Sequence, residues 1–212
     1  MPNQNELTTR LGGWLFRHRT SLPLPFAAAI LLLRVGLAPS STGLVAAGMV
    51  VTMLGELLRL WGVHHIGAIS RTRADRLGPL VDSGPFAILR NPLYVGNIAL
   101  WVGFALTARL VWLAPVIATL LGLEYHAIVR WEEHLLASRL GDAYRAYAAR
   151  VPRWMPTFNR GERGDLSKKD LSAGFASSAV RPYSWRETVF SERGTLIAIA
   201  GGYLLLWIKA QL

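Results

Sequence analysis

Two short runs hold the residue types that can act on a charged ligand. The first is Ser83-Gly84-Pro85-Phe86 followed by Arg90-Asn91-Pro92-Leu93-Tyr94-Val95-Gly96. Gly84-Pro85 is a turn signal, Pro92 suits the first residue of a helix, and Asn91 before it is a favoured N-cap. A helix start presents free N–H groups and positive potential, which suit a carboxylate or phosphate. Asn91 is therefore a plain cap or a ligand-binding residue, and one place can serve both roles. The second run is Arg130-Trp131-Glu132-Glu133-His134-Leu135-Leu136, then Leu140-Gly141-Asp142-Ala143-Tyr144, Tyr147 and Val151-Pro152-Arg153-Trp154-Met155-Pro156. At helical spacing Glu132 shares a face with Leu136, Leu140, Ala143 and Tyr147, so its carboxylate points toward the apolar side. That is unfavourable unless a cation meets it, whether from a ligand, from Arg139 or from a loop arginine. Glu133, nearly a quarter-turn away, reads as a solvated or interfacial charge.

The elements that must position these runs are apolar helices. Of 212 residues, 52% are hydrophobic and 17% charged, with 23 Lys+Arg against 13 Asp+Glu, a composition that fits a membrane protein with a basic water-facing side. There is no Cys, which removes disulfides, thiolate nucleophiles and Cys-ligated metal centres. No metal-ligand spacing stands out among the five His, so no metal site is expected. Long apolar stretches at about 22–38, 41–63, 93–108 and 110–129 read as spanning helices, and a shorter one at 194–208 as a fifth that needs tilt or neighbours to cross. The predicted architecture is all-α, a single polytopic membrane bundle, with cytoplasmic segments at 64–92 and 130–160 and a Ser-, Gly- and Lys-rich linker at 161–184. No cleaved signal peptide is expected.

Charge placement orients the bundle. Nineteen of the 23 basic residues fall in 1–20, 64–92 (Arg71, Arg73, Arg76, Arg90) and 130–193, while Arg109 and Lys209 lie at the opposite ends. The positive-inside rule then puts the N-terminus and both long loops on the cytoplasmic side. The basic excess is a topology signal, and nucleic-acid binding is not expected. Glu56 and Arg59, spaced i,i+3 within the second span, either neutralise one another or mark a functional position. Glu124 and His126 either line a lipid entrance or sit solvated at the interface.

Taken together, the two runs resemble the isoprenylcysteine carboxyl methyltransferase and phospholipid methyltransferase superfamily. Residues 83–96 are similar to its Ser-Gly-Pro-Tyr…Arg-His-Pro-x-Tyr-x-Gly motif, and the second run to its Glu-Glu-x-x-Leu…Gly-x-x-Tyr-x-x-Tyr…Val-Pro-Arg-x-x-Pro ending. The resemblance covers about residues 54–158, with Asn91 where the motif has His and Phe86 where Tyr is commoner. It implies an S-adenosylmethionine pocket facing the cytoplasm and a lipophilic small-molecule or prenylated acceptor entering from the membrane lipids. Gly84, Pro85, Arg90, Asn91, Pro92, Tyr94, Glu132 and Glu133 would hold the cofactor, and Tyr94, Glu132 and Arg153 would act on the reaction. Asn91 would hydrogen-bond the cofactor but offers no titratable group, which argues against a general base. Arg90 would pair with the cofactor's carboxylate or with headgroup phosphates. Tyr94 would contact the sulfonium or belong to the core, and Glu132 would receive the ammonium or ribose hydroxyls. Arg153, Trp154 and Pro156 would form the pocket rim or touch the acceptor headgroup.

A carboxylate acceptor is already ionised and needs no base, whereas an amine must lose a proton, with His64, His65, His126 or a carboxylate as candidates. Carboxyl O-methylation is the first expectation and phospholipid amine N-methylation the second. Two further classes stand beside them: a membrane reductase using NADPH, against which the short chain and the missing Gly-rich fingerprint count, and a non-catalytic protein of the same fold.

Overall fold

A computed structural model describes residues 4–67, 80–156 and 183–212, with the backbone alone for 4–10. Arg71, Arg73, Arg76 and nearly all of the 161–184 linker lie outside the described residues. The described chain is helical: α1 (Gln4–His18), α2 (Leu24–Leu32), α3 (Thr42–Ile66), a 3-10 turn (Gly84–Ala87), α4 (Pro92–Thr107), α5 (Leu113–Leu140), α6 (Asp142–Arg150) and α7 (Trp185–Gln211).

Three of these helices, α3, α5 and α7, are long and apolar enough to cross a membrane. The five expected spans are not all met by length. The stretch 22–38 forms only the nine-residue α2, about 14 Å long, before the chain opens into an extended connection. The α4 helix is apolar but has 16 residues, about 24 Å. The last stretch, expected to be short at 194–208, extends to the 27 residues of α7. The reason is local. Ser184 and Glu187 form a reciprocal capping box, with the Glu187 N–H donating to Ser184 Oγ at 3.2 Å and the Ser184 N–H donating to Glu187 Oε2 at 2.7 Å. A helix with both orphan donors satisfied can start in the polar segment before the apolar run.

The α3 and α4 helices form an antiparallel pair closed by glycines. Gly48, Gly55 and Gly62 recur every seventh residue on α3, facing Gly103, Gly96 and Leu93 of α4. A Cβ on Gly55 would lie 2.8 Å from the Gly96 carbonyl oxygen, and one on Gly103 would lie 2.6 Å from that of Gly48. Such an approach of two backbones is how helices associate where lipid offers no hydrophobic drive.

The α5 helix is central, with α4 against it on one side and α1 on another. Leu113, Ile117, Leu121, Tyr125 and Ile128 are buried at i, i+4, i+8, i+12 and i+15, one continuous stripe. The α7 helix leans on α3, where the Tyr203 hydroxyl donates to Thr52 Oγ1 at 2.7 Å. It also reaches α2, where Lys209 Nζ donates to the carbonyls of Ile30 at 2.6 Å and Leu33 at 2.7 Å. That ammonium supplies the unsatisfied carbonyls at the C-terminal end of α2.

Candidate functional site

Both motif runs meet at one end of the α3–α4–α5 group. The 3-10 turn begins at Gly84, whose φ of +59 suits glycine and which packs against the His65 ring with no room for a side chain. Pro85 and Phe86 are buried. The Phe86 carbonyl accepts from the Tyr147 hydroxyl of α6 at 2.9 Å. Two more bonds join the runs: the Arg90 N–H donates to the Pro152 carbonyl at 2.9 Å, and Asn91 Nδ2 donates to the Arg153 carbonyl at 3.0 Å. Asn91 does occupy the position before Pro92 at the start of α4, but its side chain makes no capping bond. Its amide instead ties the two segments together.

Glu133 is the hub of the second run and is neither solvated nor free. Arg153 donates to it through Nε at 2.9 Å and Nη2 at 2.6 Å, and Arg90 through Nη1 at 2.8 Å. The Glu133 side chain is only 15% exposed, so both arginines are fixed by one carboxylate. These bonds hold the Arg153 guanidinium charged more firmly than usual. Burial and the Glu133 charge push the Tyr144 phenol up to about 12, and burial, then neighbouring Tyr144, raises that of Tyr147. The lower half of the site is thus a neutral-phenol, paired-charge scaffold. Arg90 also bonds Tyr144, while its Nε is buried with no hydrogen-bond partner.

Of the partners expected for Glu132, a loop arginine meets it and Arg139 does not, and a phenol joins them. Arg139 is exposed, and Glu132 Oε1 accepts from the Tyr94 hydroxyl at 3.0 Å. Arg19, in the turn after α1, attracts Glu132 and hydrogen-bonds the Tyr94 hydroxyl. The Tyr94 and Tyr125 rings stack with centroids 4.7 Å apart, and Tyr125 hydrogen-bonds Asn97. Trp154 packs on the core formed by α5, with its ring 6.4 Å from that of His126. His64 is stacked on Trp185 at 4.3 Å, tying the end of α3 to the start of α7. The Glu56–Arg59 pair forms, with Nε to Oε2 at 3.2 Å, and the Arg59 guanidinium also bonds Asn97 and Glu192. Among the described residues no group of three or more acidic or His side chains is placed to hold a metal ion.

The geometry joins residues that a single chain segment cannot: a carboxylate with a phenol and the Arg19 charge, a stacked aromatic pair, and an arginine with an unfilled donor. Residues 44–143 match the family model described as phospholipid methyltransferase. The matched segment takes in nearly all of α3, the whole of α4 and α5, and both Glu132 and Glu133; Arg19, Arg153 and α7 lie outside it. The chain is 34% identical over 116 residues to the nickel-cobalt-cadmium resistance protein NccN of Alcaligenes xylosoxydans xylosoxydans, covering 55% of this chain and 51% of that protein. It is 31% identical over 121 residues to the cobalt-zinc-cadmium resistance protein CzcN of Cupriavidus metallidurans, covering 56% and 53%. A third relative is protein-S-isoprenylcysteine O-methyltransferase B of Arabidopsis thaliana, 28% identical over 116 residues, covering 53% and 59%. The chain therefore spans about half the length of the relatives it matches.

Two of the residues that build this site carried no motif signal. Arg19 belongs to a polar N-terminal stretch that periodicity did not mark as a helix, and Glu192 is far along the chain. The length of α5 would have found the joint role of the Glu pair: the helix runs 11 residues past the expected end at 129, to Leu140, so both glutamates are on one rigid element.

Proposed function

We propose that this domain is an integral membrane methyltransferase that uses S-adenosylmethionine and acts on a lipid-like or isoprenoid-bearing acceptor. In this reading the N-terminus and both motif runs face the cytoplasm, in keeping with the distribution of arginines. The observation that carries it is the Tyr94–Glu132 pair beside the Arg90–Glu133–Arg153 brace, within a segment matched to a methyltransferase family. The residues fit the cofactor by their chemistry. Arg90 Nε, buried without a partner, suits its carboxylate; Glu132 suits the ammonium or ribose hydroxyls; the faces of Tyr94 and Tyr125 suit a sulfonium. When bound, the cofactor supplies an activated methyl group on a sulfur that leaves as a neutral thioether.

The protein's work is placement. Gly84, Pro85 and Pro92 shape the turn that carries Arg90; Glu133 fixes Arg90 and Arg153 together; the Asn91 amide holds the segment bearing Arg153 across the helix start. A preorganised site of this kind lowers the barrier by orientation and by fixed dipoles. Carboxyl O-methylation stands ahead of amine N-methylation, because a carboxylate acceptor requires no base and Asn91 offers none.

The test is calorimetry of S-adenosylmethionine against detergent-purified protein, followed by transfer of a labelled methyl group to extracted membrane lipids and prenylated carboxylates. Saturable binding, weakened by at least about tenfold in Glu132→Gln, is the expected result, the loss corresponding to one charge-assisted hydrogen bond of ~1.5–3 kcal/mol. Retention of NADPH by a folded protein that ignores S-adenosylmethionine would overturn it. A second reading, favoured by the names of the two resistance-protein relatives, is that the domain serves in metal tolerance. Loss of nickel, cobalt or cadmium tolerance on deletion would support that role, and restoration by Glu132→Gln would separate it from methyl transfer.

A further inference from the structure

The N-terminal helix brings a cation to the Tyr94–Glu132 pair from outside the family-matched segment. How it gets there is legible in the packing. Gly12 and Gly13 let α1 lie directly on α5: a Cβ on Gly12 would sit 2.7 Å from Trp131 Cβ, and one on Gly13 would sit 3.0 Å from Trp131 Nε1. Phe16 is buried against that same tryptophan, with ring centroids 4.9 Å apart. The chain then turns, with the Ser21 N–H donating to the His18 carbonyl at 2.9 Å, and Arg19 folds back over Phe16 with its guanidinium 4.1 Å from the ring centroid. Trp131 immediately precedes Glu132, so the platform that holds Arg19 is built on the backbone that holds its partner. From there the guanidinium bonds the Tyr94 hydroxyl, which itself donates to Glu132, and its charge also acts on Tyr125.

We propose that Arg19 is a positioning residue of the site, the resident counter-ion of Glu132, which holds the Tyr94–Glu132 pair aimed and biases the site against a positively charged sulfur and toward a neutral one. This rests on the cofactor reading above. In methyl transfer the acceptor's lone pair forms the new bond to the methyl carbon, the carbon–sulfur electron pair stays on sulfur, and the sulfur loses its positive charge. A fixed cation beside the stacked tyrosines favours that loss. Glu133 does not serve in this way, because Arg90 and Arg153 already engage it.

S-Adenosylmethionine and S-adenosylhomocysteine share every group except the methyl and its charge, so the ratio of their affinities isolates the effect of Arg19 on the sulfur. Calorimetry of both ligands is compared for wild type, Arg19→Gln and Arg19→Lys. The Gln variant is expected to shift the ratio toward S-adenosylmethionine by at least about tenfold, the size expected of one unit charge within ~10 Å at an effective dielectric of ~20. The Lys variant is expected to keep the wild-type ratio within about twofold, because it restores the charge. A purely structural arginine would change both affinities together and leave the ratio unmoved, which overturns the proposal. A second readout needs no ligand: thermal unfolding of Arg19→Gln, Glu132→Gln and the double variant. Coupled residues give a double variant no less stable than the worse single one; additive losses overturn the proposal even where both ligands bind. If wild type binds neither ligand, the cofactor reading fails and the proposal falls with it.

Discussion

Replacing Glu133 by Gln tests the idea that one carboxylate organises the site. The substitution keeps the size of the side chain and one carbonyl acceptor but removes the charge between Arg90 and Arg153. Those two side chains are 14% and 27% exposed and Glu133 is 15% exposed, so water can only partly take over. Leaving two mostly buried guanidinium groups without their anion is expected to cost about 3 kcal/mol, the low end for breaking a buried pair. For a chain of this size each kcal/mol moves the midpoint by roughly 2–4 °C, so thermal unfolding in detergent should shift down by about 6–12 °C. Asp142→Asn is the control. It breaks an ion pair with Arg145 whose side chains are 98% and 63% exposed, and no measurable shift is expected. A fall of under about 2 °C for Glu133→Gln, within the range of an ordinary surface change, would refute the assignment of Glu133 as the brace.

Two further outcomes follow from the packing and from titration. Gly103→Ala forces a methyl to within 2.6 Å of the Gly48 carbonyl and should destabilise the α3–α4 pair by about 2 kcal/mol in thermal unfolding, whereas Gly122→Ala, with nothing within 4 Å, should be neutral or slightly stabilising; equal behaviour of the two would count against the glycine seam. Tyr144 ionises at about 12 in the folded protein and near 10 when unfolded, so its contribution is complete below about pH 10 and is lost as pH rises from about 10 to 12. Midpoints measured across that window should fall, and Tyr144→Phe should flatten the decline; tyrosinate absorbance from Tyr144 appearing in the folded protein at ordinary phenol pH would contradict the burial argument.

Much of this was legible in the sequence because motif and helix signals are local. Asn91-Pro92 did mark the start of α4, and Glu132 did point to the apolar side and need a partner. The identity of that partner was not legible. Arg19 and Tyr94 reach Glu132 from separate elements, and nothing in spacing along the chain distinguishes them from Arg139, one or two turns away. The same holds for Arg59: its i,i+3 pairing with Glu56 could be read, but its bond to Glu192 depends on how α7 docks. Span lengths are not legible where apolar content and helix ends part company. The apolar run at 22–38 stops being helical at Leu32, while the polar start of α7 is held helical by a cap. The seventh-residue glycines of α3 were a readable signal, and two of them matched a pair with the same spacing on α4.

The contact of Lys209 with α2 gives the molecule an order of assembly. The carbonyls of Ile30 and Leu33 are donated to from 179 and 176 residues further along the chain. During synthesis, then, the short α2 emerges with bare carbonyls, and its own end stays unfinished until α7 has been inserted and docked. Early-made segments must meanwhile borrow water, headgroups or the translocation machinery for those bonds. Replacing Lys209 by Met would therefore register as a defect near residue 30, far along the chain from the change.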